Sequence, residues 1–193
     1  MKNIAVFLDR DNTLNFDPGY LNDPESVKLL PGVGEGLTKL KSVLNCKFIV
    51  ISNQSGVARG FYTEETIIKI NNRINELLFG SGFAQIDDFF YCIHHPEFSD
   101  EEKSKCRKPS PQMVFDAAKK YLINLADSYF AGDAVSDVEC GKNAGTKTVL
   151  LVYDEGDSKR MELAVKQLTP DFIAKDFSEC CNFIIEDFKG KNN

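Results

Sequence analysis

Apolar residues follow two patterns that alternate along this chain. Short continuous runs, rich in β-branched and aromatic residues, are typical of strands buried on both faces of a sheet. Between them lie longer segments in which apolar residues recur every three or four positions, as on one face of a helix. The runs predict strands, the last one short, at 4–8, 48–52, 88–91, 128–131, 148–152 and 172–174.

The helix-like segments carry start and stop signals. Thr63 followed by two glutamates is a typical N-cap, and Ser110 with Pro111 marks another helix start. Gly145 closes a short helix, because glycine readily adopts the left-handed conformation after a last turn. The predicted helices are 33–44, 64–78, 110–122, 136–144 and 178–188, with a polar tail at 189–193.

This alternation of strands and helices predicts an α/β fold, with a mostly parallel sheet covered by helices on both faces. A length of 193 residues suits one domain, expected to span 1–188. Sheets of this kind bind ligands at the carboxyl ends of their strands, so chemically active residues are expected there.

Charge and composition exclude several classes of protein. A net charge of −6 provides no basic surface for nucleic acid or an anionic membrane. The apolar runs fall far short of the roughly 20 residues that span a bilayer, and the first run is too short for a secretion signal. The sequence therefore predicts a cytoplasmic protein without a nucleic-acid or membrane partner. A monomer is expected, because no exposed apolar stripe is evident.

The chain has six cysteines, which are expected to be thiols or metal ligands in a reducing compartment rather than a disulfide framework. Four of them fall within helical or strand-flanking patterns and are expected in the core. These are Cys46, Cys140, Cys180 and Cys181.

Two aspartates follow directly after the first predicted strand. Residues two apart in an extended segment point the same way, so Asp9 and Asp11 leave the strand toward one crevice. Carboxylates this close repel each other unless a proton or a cation intervenes, and a hard cation such as Mg²⁺ prefers oxygen ligands. The alternative is a solvated acidic turn, but polar residues at other strand ends favour a site.

Polar residues also follow the second and fourth predicted strands. Ser52 begins a run of hydroxyl and amide groups that suits phosphate oxygens, and a glycine precedes two further acids, Asp133 and Asp137. Ser136 and Asp137 have an alternative use as caps of the helix that follows. Lys108 stands beside a proline that restricts the local backbone, so its position is expected to be fixed.

Four motifs in this order resemble the haloacid dehalogenase (HAD) superfamily: Asp-x-Asp-x-Thr, a serine at a strand end, a lysine before a helix, and Gly-Asp-x-x-x-Asp. The ordered set is far more specific than any one motif. The resemblance implies a Rossmannoid three-layer α/β/α sandwich and a Mg²⁺-dependent phosphatase or mutase, a phosphoric monoester hydrolase in the first case. A second acid two residues after the nucleophile favours these enzymes over the dehalogenase branch.

The resemblance also implies a role for each motif residue. Asp9 is the nucleophile that accepts the phosphoryl group, and Asp11 protonates the leaving oxygen and later deprotonates the incoming water. Lys108 offsets the charge that builds up when a carboxylate attacks a phosphate dianion. The implied ligands are Asp9, Asp133 and the Asp11 backbone carbonyl for Mg²⁺, and Thr13 and Ser52 for the phosphoryl oxygens.

Further stretches are similar to one branch of the superfamily, the D-glycero-D-manno-heptose 1,7-bisphosphate phosphatases, which supply heptose for lipopolysaccharide. They lie at 17–20, 53–60, 91–96 and 106–109. The related histidinol-phosphate phosphatases share part of this pattern but fit 58–60 less well. The similarity implies removal of the 7-phosphate from a heptose bisphosphate. It also implies substrate-binding roles for Arg10, Thr13, Asp17, Gly19, Tyr20, Asn53, Gln54, Ser55, Arg59 and Arg107.

Relatives in this branch bind a structural zinc ion through Cys-x-His, a loop and Cys-x-Cys. Cys92, His94 and Cys106 match three of these ligands, but Ser104 stands at the position of the third cysteine. A neutral serine is a poor zinc ligand, so the implied site is incomplete. Three ligands with water, or His95 as a fourth ligand, remain open. In the other alternative both cysteines are buried apolar side chains.

The intervals between the motifs leave no room for a separate cap domain. Loops at 16–20, 55–60 and 92–107 are therefore expected to shape an open pocket. Arg59 and Arg107 are candidates for binding a second phosphate, since a guanidinium group donates two parallel hydrogen bonds.

Other functions stay open on the sequence. Histidinol phosphate, or a broad range of small phosphate esters, would be an alternative substrate. A receiver-like phosphoacceptor module also combines acids, a hydroxyl, a lysine and Mg²⁺ on a parallel sheet, although Asp11 beside Asp9 supplies hydrolytic machinery. Polynucleotide 3′-phosphatases share the motifs, but this chain lacks the basic groove that nucleic acid needs.

Overall fold

Six strands form one sheet in the computed structural model, which describes residues 3–153 and 158–192. All five strand pairings are parallel, and the order across the sheet is β3-β2-β1-β4-β5-β6. The strands are β1 (Ala5–Leu8), β2 (Lys47–Asn53), β3 (Asp88–Cys92), β4 (Tyr129–Gly132), β5 (Lys147–Leu151) and β6 (Phe172–Ala174). All six strand predictions are confirmed to within about one residue at each end.

Seven α-helices occur in the described part of the chain, with short 3-10 helices at Pro24–Ser26 and Leu125–Asp127. The α-helices are α1 (Val33–Leu44), α2 (Glu64–Gly80), α3 (Glu101–Ser104), α4 (Gln112–Tyr121), α5 (Val135–Ala144), α6 (Lys159–Lys166) and α7 (Phe177–Asn192). The sequence pattern did not predict α3 or α6. Helix α7 also continues into the segment expected to be a polar tail, whose last residue, Asn193, lies outside the described residues.

The helices cover both faces of the sheet, which confirms the predicted three-layer α/β/α arrangement. Alternate residues of β1 point to opposite faces, as strand geometry requires. Val6 and Leu8 pack in the core formed with α1, α2 and α7, whereas Ala5 and Phe7 pack in the core formed with α4 and α5. All four residues are fully buried, so β1 is the centre of the hydrophobic core.

Local capping explains why two helices begin or end where they do. The Thr63 side chain accepts a hydrogen bond from the backbone N–H of Thr66 at the start of α2, as predicted. Gly145 follows α5 with φ near +80°, a left-handed conformation that glycine adopts without steric cost. Together these caps fix the two helices that follow the functional ends of β2 and β4.

The strand order creates a point at which the chain changes direction across the sheet. The chain runs from β1 to β2 and β3 on one side, and then crosses to β4 on the other side of β1. Ligands bind at such a switch point in parallel sheets, next to the carboxyl ends of the strands. Among the described residues, the connections consist of helices packed on the sheet and loops, with no separate cap domain. No described helix is long and apolar enough to cross a membrane.

Candidate active site

A cavity of about 330 Å³ lies at the carboxyl ends of β1, β2 and β4. Its walls come from the strand ends and from the loops that follow them. They contain eleven of the residues proposed from the sequence, namely Asp9, Asp11, Asp17, Gly19, Tyr20, Ser52, Asn53, Ser55, Arg107, Lys108 and Asp133. The fold thus collects side chains that are far apart in the sequence into a single pocket.

Three carboxylates crowd together at the base of this cavity. One oxygen from each of Asp9, Asp133 and Asp137 lies within 4.8 Å of the others. Burial raises the pKa of Asp9; Lys108 opposes this increase, and Asp137 and Asp133 add to it. Burial, followed by the charge of Asp137, raises the pKa of Asp133 to about 6. The cluster therefore resists carrying its full negative charge without a cation.

Lys108 supplies part of the missing positive charge. Its ammonium lies 2.7 Å from an Asp9 oxygen and 2.6 Å from an Asp137 oxygen, and it donates a hydrogen bond to the backbone carbonyl of Ile51 at 2.8 Å. Although burial alone would lower the pKa of this lysine, Asp137 and Asp9 raise it overall. The ammonium is thus held in its charged form beside the proposed nucleophile.

The geometry of Asp137 depends on a glycine at the end of β4. A Cβ atom at Gly132 would lie 2.2 Å from an Asp137 carboxylate oxygen, so glycine permits the close approach of this side chain. The same carboxylate accepts a hydrogen bond from the backbone N–H of Ala134. Asp137 therefore caps α5, as one reading of the sequence suggested, and also pairs with Lys108.

The carboxylate cluster fits a magnesium ion by its donor chemistry. Mg²⁺ prefers carboxylate oxygens and water, and these side chains, two of them buried and Asp133 half-buried, offer oxygen donors on one side of an open cavity. Asp9 and Asp133 were implied as ligands by the family resemblance, whereas Asp137 was not. Its signal in the sequence is the last position of the Gly-Asp-x-x-x-Asp motif.

Asp11 belongs to a separate hydrogen-bonding network. Its two oxygens accept hydrogen bonds from the Arg10 guanidinium at 3.0 and 2.9 Å, from Asn15 at 3.2 Å and from Gln54 at 2.9 Å. Burial would raise the pKa of Asp11, but the charge of Arg10 and these hydrogen bonds outweigh burial and lower it. In this arrangement Asp11 is an ionised carboxylate.

Arg10 is not among the residues that line the cavity, so its burial does not support the substrate-binding role expected for it. Its side chain is 1% exposed and donates to Asp11 on one side and to Asn71 of α2 on the other. Arg10 lies between two residues that face the crevice, and alternation along an extended segment directs it elsewhere. The same alternation could have been used to predict this from the sequence.

Three other proposed residues also lie outside the cavity wall. Thr13 is fully buried, and its hydroxyl has no hydrogen-bond partner among the described residues. Gln54 is 1% exposed and bonds to protein groups. Arg59 lies beyond the wall, against the ring of Phe98, with 4.6 Å between its guanidinium carbon and the ring centre.

Asn53 fixes the backbone that carries Lys108. Its side-chain oxygen accepts a hydrogen bond from the Lys108 N–H at 2.9 Å, and its side-chain nitrogen donates to the Lys108 carbonyl at 3.2 Å. This pair of bonds joins the end of β2 to the loop before α4. Lys108 is consequently held beside the end of β2, the strand that also carries Ser52.

The loop at 17–21 is shaped by a single carboxylate. Asp17 accepts hydrogen bonds from the backbone N–H groups of Gly19 and Leu21 at 3.1 and 2.9 Å. Gly19 and Tyr20 both have positive φ, near +103° and +58°. Tyr20 then stands at the mouth of the cavity, edge-to-face against Phe61 with 4.7 Å between the ring centres.

Two arginines form a cationic region at the rim. The Arg107 Nη1 and Arg59 Nε groups are buried and have no hydrogen-bond partner among the described residues. Burial lowers the pKa of Arg107, and the charge of Arg59 lowers it further, which places the two guanidinium groups within electrostatic range of each other. Donors left unsatisfied beside a second cation favour an anionic ligand.

The structure corrects the expectation of a zinc site. The sulfur atoms of Cys92 and Cys106 are joined in a disulfide, with Cα atoms 5.6 Å apart, a spacing that suits such a bond. Neither cysteine can then offer a thiolate to a metal, and the Ser104 hydroxyl donates to the Asp100 carbonyl. The donor set therefore does not fit zinc. The other four cysteines are free and buried, as expected.

Comparison with known proteins identifies relatives. The HAD-hydrolase-like family model matches residues 105–180. A D-glycero-beta-D-manno-heptose-1,7-bisphosphate 7-phosphatase of Helicobacter pylori is 39% identical over 150 residues, which cover 78% of this chain and 84% of that protein. A D-glycero-alpha-D-manno-heptose-1,7-bisphosphate 7-phosphatase of Burkholderia mallei is 35% identical over 162 residues, with 82% and 85% coverage.

A solved structure is similar over nearly the whole chain. It is the D,D-heptose 1,7-bisphosphate phosphatase from B. bronchiseptica in complex with magnesium and phosphate. The TM-score is 0.80 at 26% sequence identity, and the match covers 95% of this chain and 99% of that one. The shared architecture confirms the predicted HAD-like Rossmannoid fold.

Fold and site together define a HAD-type phosphatase, a Mg²⁺-dependent phosphoric monoester hydrolase. At this level of identity and coverage, the chain belongs to the family of D-glycero-D-manno-heptose-1,7-bisphosphate 7-phosphatases.

Proposed function

We propose that this enzyme removes the 7-phosphate from D-glycero-D-manno-heptose 1,7-bisphosphate and leaves the 1-phosphate. The cationic rim carries this proposal, because Arg107 lines the cavity with a buried unsatisfied donor, and Arg59, which also pairs with Glu97 at 3.6 Å, lies within electrostatic range of it. A sugar with two phosphates would place one at Asp9 and the other at this rim. Histidinol phosphate carries a cationic amine, which two guanidinium groups would repel.

In the proposed first step, an Asp9 oxygen attacks phosphorus and the bond from phosphorus to the sugar oxygen breaks. Asp11 gives its proton to that oxygen, so the sugar leaves as a neutral alcohol. Lys108, 2.7 Å from Asp9, offsets the negative charge as the two anions approach. Asp9, Asp133 and Asp137 would hold Mg²⁺, which would supply further positive charge beside the phosphoryl group.

In the second step, water attacks the phosphorus atom of the aspartyl-phosphate. Asp11 takes a proton from this water, and the bond between phosphorus and Asp9 breaks to release phosphate. Ser52, which lines the cavity, is proposed to donate its hydroxyl hydrogen to a phosphoryl oxygen. Asp11 must gain a proton before the first step, so its contact with Arg10 has to loosen in the working cycle.

The test compares steady-state rates on both anomers of the bisphosphate, heptose 7-phosphate, histidinol phosphate and p-nitrophenyl phosphate. Arg107→Met should raise KM for the bisphosphate about tenfold, the effect of losing charged hydrogen bonds, and leave p-nitrophenyl phosphate within twofold. Arg73→Met is the matched control, because Arg73 pairs with Glu25 and Glu76 on the surface of α2.

A preference of the wild-type enzyme for histidinol phosphate, or equal rates on all esters, would overturn the proposed substrate. Phosphorylated Asp9 that accumulates without release of phosphate would instead favour a phosphoacceptor module.

The proposal extends to the setting of the enzyme. We propose a monomer in the cytoplasm, with a small phosphorylated sugar as its ligand and no nucleic-acid or membrane partner. Support for the absence of a nucleic-acid or anionic-membrane partner comes from the acidic net charge of −6. Light scattering on the purified protein tests the monomer, and cell fractionation tests the location.

A further inference from the structure

Gln54 lies between Asp11, the proposed acid and base, and Ser52, the proposed phosphate-binding residue. Its side-chain nitrogen donates to an Asp11 oxygen at 2.9 Å and to the Ser52 hydroxyl oxygen at 2.8 Å. Its backbone N–H donates to the carbonyl of Cys92 at 2.7 Å, so the main chain is anchored to β3. The amide thus uses both of its hydrogens on residues that the reaction requires.

The other end of the same amide is held by Tyr62. The phenol hydroxyl donates to the Gln54 side-chain oxygen at 2.8 Å. Its ring packs directly on Gly56, where a Cβ atom would lie 2.3 Å from a ring carbon. Burial raises the pKa of Tyr62 to about 12, so the hydroxyl keeps its hydrogen at neutral pH.

The Tyr62 hydroxyl and the Asp11 carboxylate together favour one orientation of the Gln54 amide. If the amide turned over, its oxygen would face the Asp11 carboxylate, and like partial charges would repel. Arg10 and Asn15 hold Asp11 from the opposite side but do not contact Ser52 in the described structure. Gln54 is therefore the described side chain that bonds to both Asp11 and Ser52.

We propose that Tyr62 is a positioning residue that acts through Gln54 to orient Asp11 and Ser52 for proton transfer and phosphate binding. Because Ser52 accepts from Gln54, its own hydroxyl hydrogen stays free to be donated to a phosphoryl oxygen. Because Asp11 bonds to the same amide, its carboxylate stays next to the phosphate-binding hydroxyl. This inference rests on the proposed phosphatase chemistry of Asp11.

The test compares Tyr62→Phe with Tyr91→Phe, a matched control whose hydroxyl bonds to Glu64 at the surface. Loss of one hydrogen bond should lower kcat for a sugar phosphate about five- to tenfold and leave KM within twofold. In single-turnover assays with p-nitrophenyl phosphate, the phosphorylation rate should fall less than twofold. Nitrophenolate is a good leaving group that leaves without a proton, so a misplaced Asp11 matters little in that step.

A double-mutant cycle then tests whether Tyr62 acts through Gln54. In the Gln54→Met background, Tyr62→Phe should change kcat less than twofold, because the amide that it orients is gone. Circular dichroism and thermal unfolding of each variant monitor the fold.

The positioning role is overturned by equal losses on both substrates, by a change confined to KM, or by independent effects of the two substitutions. The cycle is measured on whichever sugar phosphate the wild-type enzyme hydrolyses fastest, and p-nitrophenyl phosphate is left out because its phosphorylation should respond little to Tyr62→Phe. A wrong sugar in the proposed function therefore leaves the test intact, whereas absence of hydrolysis of every ester defeats the proposed function first.

Discussion

Carboxylates lie at both ends of the strands, which are called here the carboxyl edge and the amino edge of the sheet. Their surroundings differ. At the carboxyl edge, Asp9 and Asp133 are buried close to further acids, and the pKa of each is raised. At the amino edge, Asp87 and Asp171 each accept hydrogen bonds from a lysine and a backbone N–H, and the pKa of each is lowered. One edge concentrates negative charge, while the other neutralises it residue by residue.

The difference separates residues arranged for chemistry from residues arranged for stability. Asp87 bonds to Lys47 at 2.7 Å and to the Phe48 N–H at 2.9 Å, so it ties the starts of β2 and β3 together. At the carboxyl edge, Asp9 and Asp137 share one lysine, Lys108, and Asp133 pairs with Lys159 at 3.5 Å. Their mutual repulsion leaves the site ready for a cation and a phosphate, at a cost to the free energy of folding.

The largest effect on activity is expected when Asp9 is removed from the carboxylate cluster. Asp9→Asn should lower phosphate release by about 10⁴-fold or more, because it removes the proposed nucleophile. Metal-free Asp9→Asn should unfold at about the same temperature as wild type, because the raised pKa of Asp9 already favours its neutral form in the folded state. Phosphate-release assays and calorimetry in EDTA check both parts. Turnover within tenfold of wild type would refute the nucleophile assignment.

Removing the metal should reveal the opposite pH behaviour of the two edges. The unfolded chain releases the Asp133 and Asp9 protons near pH 4, whereas the folded state retains them to about pH 6 for Asp133 and higher for Asp9. The folded state therefore binds more protons across this range, and these two groups lower the free energy of unfolding as pH rises.

Mg²⁺ should compensate for this loss, because the cation takes the place of the retained protons. The measurement is the thermal unfolding midpoint between pH 5 and 8, with EDTA and with excess Mg²⁺. The stabilisation by Mg²⁺ should increase with pH. A stabilisation independent of pH would show that the cluster is not where the cation binds.

The smallest effect is expected at the amino edge, where a substitution should change stability but not activity. Asp87→Asn should lower the free energy of unfolding by about 1–2 kcal/mol at pH 7, since ion pairs with Lys47 and Lys41 are lost from a partly exposed site. The difference from wild type should vanish as pH falls through the lowered pKa of Asp87. Urea unfolding measures it, and kcat should stay within twofold. Asp116→Asn is the control, because Asp116 accepts a bond from Gln112 on the surface.

The sequence was sufficient to predict the sheet, because its strands are short apolar runs whose burial is required on both faces. Helix α6 was not predicted, because Leu163 is its one buried residue and the helix therefore lacks a repeating apolar face. Helix α3 has four residues, too few to show a helical period.

Site residues that directly follow strands could be predicted from the sequence. Contacts that depend on how a side chain is oriented could not. Asp9 and Asp133 follow strands that neighbour each other, so their convergence follows from topology. The orientation of Gln54 depends on the Tyr62 hydroxyl eight residues later, and no periodic pattern records such a contact. The Cys92–Cys106 bond was not expected, because the six cysteines were assigned to a reducing compartment. The distance between these two sulfur atoms depends on the fold and cannot be obtained from their spacing in the sequence.

Asp9 follows the first strand, but its partners Lys108, Asp133 and Asp137 lie in the second half of the chain. During synthesis on a ribosome, the proposed nucleophile therefore emerges long before these partners, which neutralise or direct it. A nascent chain cannot split phosphate esters until β4 has been inserted beside β1. Catalysis thus begins as one of the last events of maturation, and enzyme turnover reports that the central strands have paired.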